Sequence, residues 1–262
     1  MATNPVLTKL EKPNSNGLGV KGTTGYPPSG MPGPFDTRPA APSRYLTLDD
    51  VIVRSGAMLG VIFVTGALSW VLATSSVASG LMIVGLLGGL GLGLYMSITG
   101  RANALTALGY AAFEGLFLGA ISRFFEQYYA GIVVQAIAGT ALVAGGMLVV
   151  YKVGAIRVTP RFWRVTAAAT FGVFGLMIVN LIASFFTSGG LGLRGNGLFA
   201  IVFSLICIVV AAMNLMLDFD VIEQSIRRGT DEKFGWYCSF GLMVTLVWLY
   251  LEILRLLASL RD

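Results

Sequence analysis

The sequence predicts an all-α, polytopic membrane protein with seven spanning helices. Composition is the first reason: 55% of the 262 residues are apolar and 12% are charged, against about 25% charged in an ordinary soluble domain. The mean hydropathy of +0.78 agrees. The third reason is periodic. From Val51 onward, apolar runs recur at about 20 residues, the length that crosses a hydrocarbon core, with short gaps between them.

Residues 1–44 form a separate region. Eight of the nine prolines lie there: Pro5, Pro13, Pro27, Pro28, Pro32, Pro34, Pro39 and Pro42. Gly, Ser, Asn and Thr fill much of the rest, which leaves too little apolar surface to offset the entropy of ordering. The stretch from Met1 to Asn14 lacks the apolar centre of a signal peptide. The expectation is a flexible tail over 1–44 and a membrane domain over 45–262. At the junction, Thr47 is placed to cap a helix with Asp49 and Asp50 in its first turn, where negative charge suits the helix dipole.

The spans are expected at 51–73, 79–99, 103–124, 132–151, 165–187, 197–219 and 235–258. A count of six would merge or drop the second, which is rich in glycine. Its Gly85, Gly89 and Gly93 recur every four residues, as do Gly115 and Gly119 in the third span. In lipid such a row lets a neighbouring backbone approach closely. A phosphate-binding loop is excluded, because no lysine follows the glycines.

The formal charge of +5 reads as topology. Arg38, Arg44, Arg54, Arg101, Lys152, Arg157, Arg161, Arg164, Arg227, Arg228 and Lys233 fall on one side of the alternating spans. Arg123, Arg194, Arg255 and Arg261 fall on the other. The excess predicts a cytoplasmic N-terminus and an external C-terminus. Dispersed basic residues without an aromatic groove argue against nucleic acid.

The chain has no histidine. That removes the usual relay of hydrolytic triads and the commonest metal ligand. Retinal binding would need a lysine in the last span, and residues 235–262 hold none. No enzyme and no cofactor is expected. Cys207 and Cys238 sit in or beside apolar runs and read as buried thiols.

Candidate chemistry rests on acids inside the spans. Glu114 lies mid-way along the third, with Tyr110 one turn earlier as a hydrogen-bond donor. A carboxyl at that depth is protonated, paired or hydrated. Helix glue and cation handling are both open to it. Asn214 and Asp218 share a face of the sixth span, with Asp220, Glu223 and Gln224 further round. A solvated helix end meeting Arg227 and Arg228 is one reading, and a cation-attracting mouth is the other. If the last turn centres near residues 229–233, Asp220 faces Thr245 across the hairpin, and Asp218 matches Ser239 less well. Glu252 with Arg255, and Asp50 with Arg54, read as local ion pairs. Asn180 reads as an interhelical hydrogen bond.

Two stretches carry a family resemblance. One is Asp218–Phe219–Asp220–Val221–Ile222–Glu223 with Trp236–Tyr237–Cys238–Ser239–Phe240–Gly241–Leu242 and the run from Leu246 to Leu257. The other is Ala111 to Ser122, centred on Phe113–Glu114–Gly115. Together they resemble the Bax inhibitor-1 / YccA-like family, in a bacterial branch with an actinobacterial type of tail. The resemblance covers about Leu48 to Leu260. It implies six helices around a central last helix, in the plasma membrane of a bacterium. It implies a pH-sensitive calcium leak in some members and restraint of a membrane protease in others.

In the leak members, aspartates on the sixth and seventh helices form a latch with an arginine on the second. Asp220 matches the first of these aspartates. Thr245 stands at the second position, and Arg101, just past the second span, is the nearest arginine. Thr245 removes the close carboxylate pair that couples two titrations. Glu114 supplies an acid instead if the third helix approaches the seventh. The functional expectation is therefore a calcium or cation leak using Glu114, Asp218, Asp220, Asn214, Thr245 and Arg101. Asp218 and Asp220 would be transient calcium ligands. The rival is a non-transporting regulator that binds a membrane protease.

Overall fold

A computed structural model describes residues 44–73, 77–186, 191–193 and 197–261. The tail assigned to 1–44 lies outside the described residues except for Arg44, as does Arg194. Among the described residues the fold is seven helices: α1 (Leu48–Leu72), α2 (Ala78–Thr99), α3 (Ala104–Tyr128), α4 (Ile132–Val153), α5 (Pro160–Ser184), α6 (Leu198–Arg227) and α7 (Phe234–Ser259). All seven are long and apolar enough to cross a bilayer. The protein is a multi-pass membrane protein, and its environment is lipid. Residues such as Phe63, Val64, Phe171 and Phe185 are exposed accordingly.

The two largest departures from the expected boundaries are in α5 and α6. Helix α5 begins at Pro160, not near 165. Thr159 accepts a hydrogen bond from the Phe162 amide, and proline occupies the first turn, where its missing N–H costs nothing. Helix α6 runs on to Arg227, well past the apolar run. Its last turns are held by Arg227 on Glu223 and by Arg228 on Gln224 (2.8 Å), so the helix continues beyond the apolar run.

The start of α1 follows its capping signature. The Asp50 amide bonds Thr47 Oγ1, and the Thr47 amide bonds Asp50 Oδ2 at 3.0 Å. Thr47→Ala removes this box and is expected to cost about 1 kcal/mol, read as a lower thermal midpoint in detergent. Asp50 does not pair with Arg54. It takes Arg44 instead, at 3.0 Å. Arg54 bonds the Glu232 carbonyl and lies over the Trp236 ring, 5.4 Å from its centre. The lead-in to α1 is thereby zipped onto the α6–α7 turn. The Leu46 amide bonds the Thr230 carbonyl (2.9 Å) and the Glu232 amide bonds the Arg44 carbonyl (3.1 Å).

Helix α3 is clamped between α1 and α2 through glycines. A Cβ on Gly115 would meet Thr65 Oγ1 and the Ile62 carbonyl, and one on Gly119 would meet the Gly66 carbonyl. On α2, a Cβ at Gly85 would lie 2.6 Å from the Phe117 amide nitrogen. Both glycine rows therefore serve close packing.

Helix α7 is the central column. It packs directly on α1, α3, α4 and α6 and carries the densest run of buried residues, including Met243, Leu249 and Leu254. Helix α2 packs chiefly on α3, and α5 on α6. These outer two reach α7 through side chains: the Phe174 and Trp248 rings lie 5.3 Å apart, and a Cβ on Gly93 would touch Phe240 at 3.9 Å.

Candidate functional site: the seam between α6 and α7

Antiparallel helices α6 and α7 carry the polar residues that the sequence singled out. Asp218 is half-buried on α6 and Thr245 is buried on α7. The Thr245 hydroxyl donates to Asp218 Oδ2 at 2.6 Å. The partner of Thr245 is thus Asp218, not Asp220. Helix residues turn by about 100° each, so Asp218 and Asp220 point about 200° apart and only one can face α7. Asp220 turns along its own helix and accepts from Gln224 Nε2 at 2.5 Å.

Asn214 extends the seam toward α5. Its Nδ2 donates to Thr170 Oγ1 at 2.8 Å and to the Val210 carbonyl at 2.9 Å. A continuous polar row therefore crosses three helices, from Thr170 through Asn214 and Asp218 to Thr245. Thr170 escaped the sequence reading. The i,i+4 spacing of Thr166 and Thr170 in an otherwise apolar span was the available signal.

Glu114 is elsewhere. It is half-buried on α3 and shares a hydrogen bond with the Tyr110 hydroxyl. A Cβ on Gly89 of α2 would lie 3.0 Å from Glu114 Oε1. Tyr110 in turn meets the Phe240 ring edge-on at 5.0 Å. Glu114 thus faces α2, with two aromatic rings on its α7 side, and does not join Asp218. It does not replace the acid missing at Thr245.

Arg101 is exposed in the connection between α2 and α3. Among the described residues its side chain forms no ion pair. No hydrogen bond or ion pair joins it to Asp218 or Thr245.

At the opposite end of α7, Glu252 is 3% exposed and pairs with Arg255 at 2.9 Å. Arg255 also bonds Ser204 Oγ of α6 at 3.0 Å, so this pair joins two helices and is more than local. Near the α5 end, Asn180 Oδ1 accepts from the Leu191 amide at 2.9 Å. It secures a loop, not a second helix. Glu223 at the far end of α6 accepts from Tyr151 of α4, a cross-link the sequence did not reveal. Cys207 and Cys238 are buried and no disulfide joins them, as expected. Among the described residues no group of three or more Cys, Asp or Glu side chains could hold a metal ion.

A family model described as "Bax inhibitor 1 like" matches residues 4–262. The chain belongs to that family. The match spans both stretches that carried the resemblance, Ala111–Ser122 and Asp218–Leu257, and all seven helices. A search of the curated proteins returned no match. Within the Bax inhibitor 1 like frame, the seam pairs one carboxylate with one hydroxyl.

Proposed function

We propose that this protein is a passive cation conduit, without catalysis, whose gate is the α6–α7 seam. The observation that carries this reading is the Thr245–Asp218 hydrogen bond. It joins two spanning helices at depth and leaves one carboxylate oxygen facing the seam. A hydrogen bond to a charged group contributes roughly 1.5–3 kcal/mol. Its loss is enough to shift a closed–open equilibrium by about ten-fold or more. Calcium is the ion that the family resemblance suggests. The excess of basic residues on the side of the α6–α7 turn supports a cytoplasmic N-terminus in a bacterial plasma membrane.

Proteoliposome flux tests this reading. Thr245→Val frees the latch and is expected to raise cation leak about ten-fold. Asp218→Asn keeps an acceptor for Thr245 but removes the charge, and leak should fall. Glu114→Gln and Arg101→Ala lie off the seam and should leave leak unchanged. Leak equal to that of empty vesicles in every variant overturns the proposal.

A second reading has its own support: a regulator that restrains a membrane protease. The lead-in to α1 is pinned to the α6–α7 turn through Leu46, Thr230, Arg44 and Glu232. A partner gripping the N-terminal segment would therefore act on the hairpin directly. Crosslinking to a protease that vanishes on deleting residues 1–43, together with silent flux, would favour it.

A further inference from the structure

The polar row has a member whose role the latch does not explain. Thr166 is wholly buried, at 0% exposure, and its hydroxyl has no hydrogen-bond partner among the described residues. Its position follows from register. Thr170 of α5 bonds Asn214 of α6. The helices are antiparallel, so one turn toward the α6–α7 turn brings Thr166 level with Asp218. Residues four apart share a helix face, so Thr166 points the same way as Thr170. The Thr170 hydroxyl is already committed, donating to the Thr166 carbonyl at 2.9 Å. The Thr166 hydroxyl is not.

By this register, α5 carries the Thr166 hydroxyl at the level where the Thr245 hydroxyl of α7 bonds the Asp218 carboxylate of α6. Asn214 lies one turn away. Its amide nitrogen is spent on Thr170 and Val210, which leaves its carbonyl oxygen as an acceptor. The Gly241 carbonyl accepts weakly from Thr245 at 3.3 Å, and Gly241 itself sits against Asp218 Oδ1. All of these groups offer oxygen, and among the described residues no arginine or lysine ion-pairs with Asp218.

We propose that Thr166, Asp218 and Thr245, with Asn214 and the Gly241 carbonyl beside them, form a binding site for one monovalent alkali cation. The identity of the ion follows from charge. One carboxylate neutralises one positive charge. A divalent ion would keep a net charge in a region of low dielectric, where uncompensated charge is costly. Calcium sites reach useful affinity by collecting several carboxylates, and this seam has one. The hard neutral oxygens of threonine, asparagine and backbone suit sodium. The inference rests on the reading of the α6–α7 seam as the gate. It adds that one monovalent ion resides in that seam.

Ligand-linked stability tests the site without relying on transport. Full-length protein in detergent is melted in sodium chloride, choline chloride and calcium chloride at equal ionic strength. Sodium is expected to raise the midpoint by about 3 °C over choline, and calcium to do less. Thr166→Val should abolish the sodium shift while melting no lower than the native chain in choline, because it removes a buried unpartnered hydroxyl. Thr166→Ser should restore the shift. Should Thr166→Val fail to fold, Asp218→Asn provides the same comparison.

A sodium shift that persists in Thr166→Val or in Asp218→Asn overturns the site, as does stabilisation by calcium alone. The two proposals fail separately. A sodium shift with silent flux would leave the site standing and remove the conduit. Flux without a sodium shift would do the reverse.

Discussion

Gly119→Ala is expected to destabilise the bundle by about 3 kcal/mol or more. A single methyl does this because of where it would lie. The Cβ would run into the Gly66 carbonyl and stand 2.8 Å from Ser69 Cβ on α1. Backbone cannot turn aside as a long side chain can, so α1 must shift along its length. Overpacking of a close-packed interior typically costs about 1–3 kcal/mol, and backbone clashes lie at the upper end. The shift would also strain the bond from Ser69 Oγ to the Leu116 carbonyl, now 2.7 Å. Gly60→Ala on α1 is the control. It adds the same methyl where nothing lies within 4 Å, and alanine suits a helix better than glycine. Thermal unfolding in detergent should show Gly119→Ala about 10 °C below the native chain and Gly60→Ala level with it or above. Equal midpoints for the two variants would refute the close crossing of α1 and α3.

The long helices were legible because a bilayer imposes a length, and each apolar run satisfies it. The capping of α1 was also legible, since Thr47 and Asp50 act within four residues of each other. What escaped were features set by helical phase. Asp218 and Asp220 both sit at the end of an apolar run, and hydropathy treats them alike. Only the rotation of α6 against α7 decides that Asp218 meets Thr245. The same limit applies to Glu114. Its depth was plain from the sequence, but the face it occupies depends on Gly89 admitting it against α2. Arg54 shows a third limit. Its i,i+4 spacing from Asp50 suggested a local pair, but the chain brings Glu232 and Trp236 from 178 and more residues away to claim it. Contacts between elements distant in sequence leave no local spacing to read.

Arg255→Met is the second variant with a large expected effect, about 3–5 kcal/mol of lost stability. Glu252 is 3% exposed, and Arg255 neutralises it at 2.9 Å. Removing one partner of a buried ion pair takes the nearest counter-charge from the other, which costs far more than the pair itself contributes. The loss extends to α6, because Arg255 also holds Ser204 Oγ and lies over the Phe203 ring, 5.8 Å from its centre. Glu252→Gln is expected to cost less. The arginine left behind keeps Ser204 and Phe203, and its long stem can carry the charge toward the nearby membrane surface. The double variant Glu252→Gln/Arg255→Met then decides the matter. It removes both charges, so it should be more stable than Arg255→Met alone, with the midpoint recovered by several degrees. Additive losses would mean that the two residues act independently and that Arg255 matters only through α6. Recovery would identify the pair as one buried electrostatic unit that ties α7 to α6 away from the Asp218–Thr245 bond.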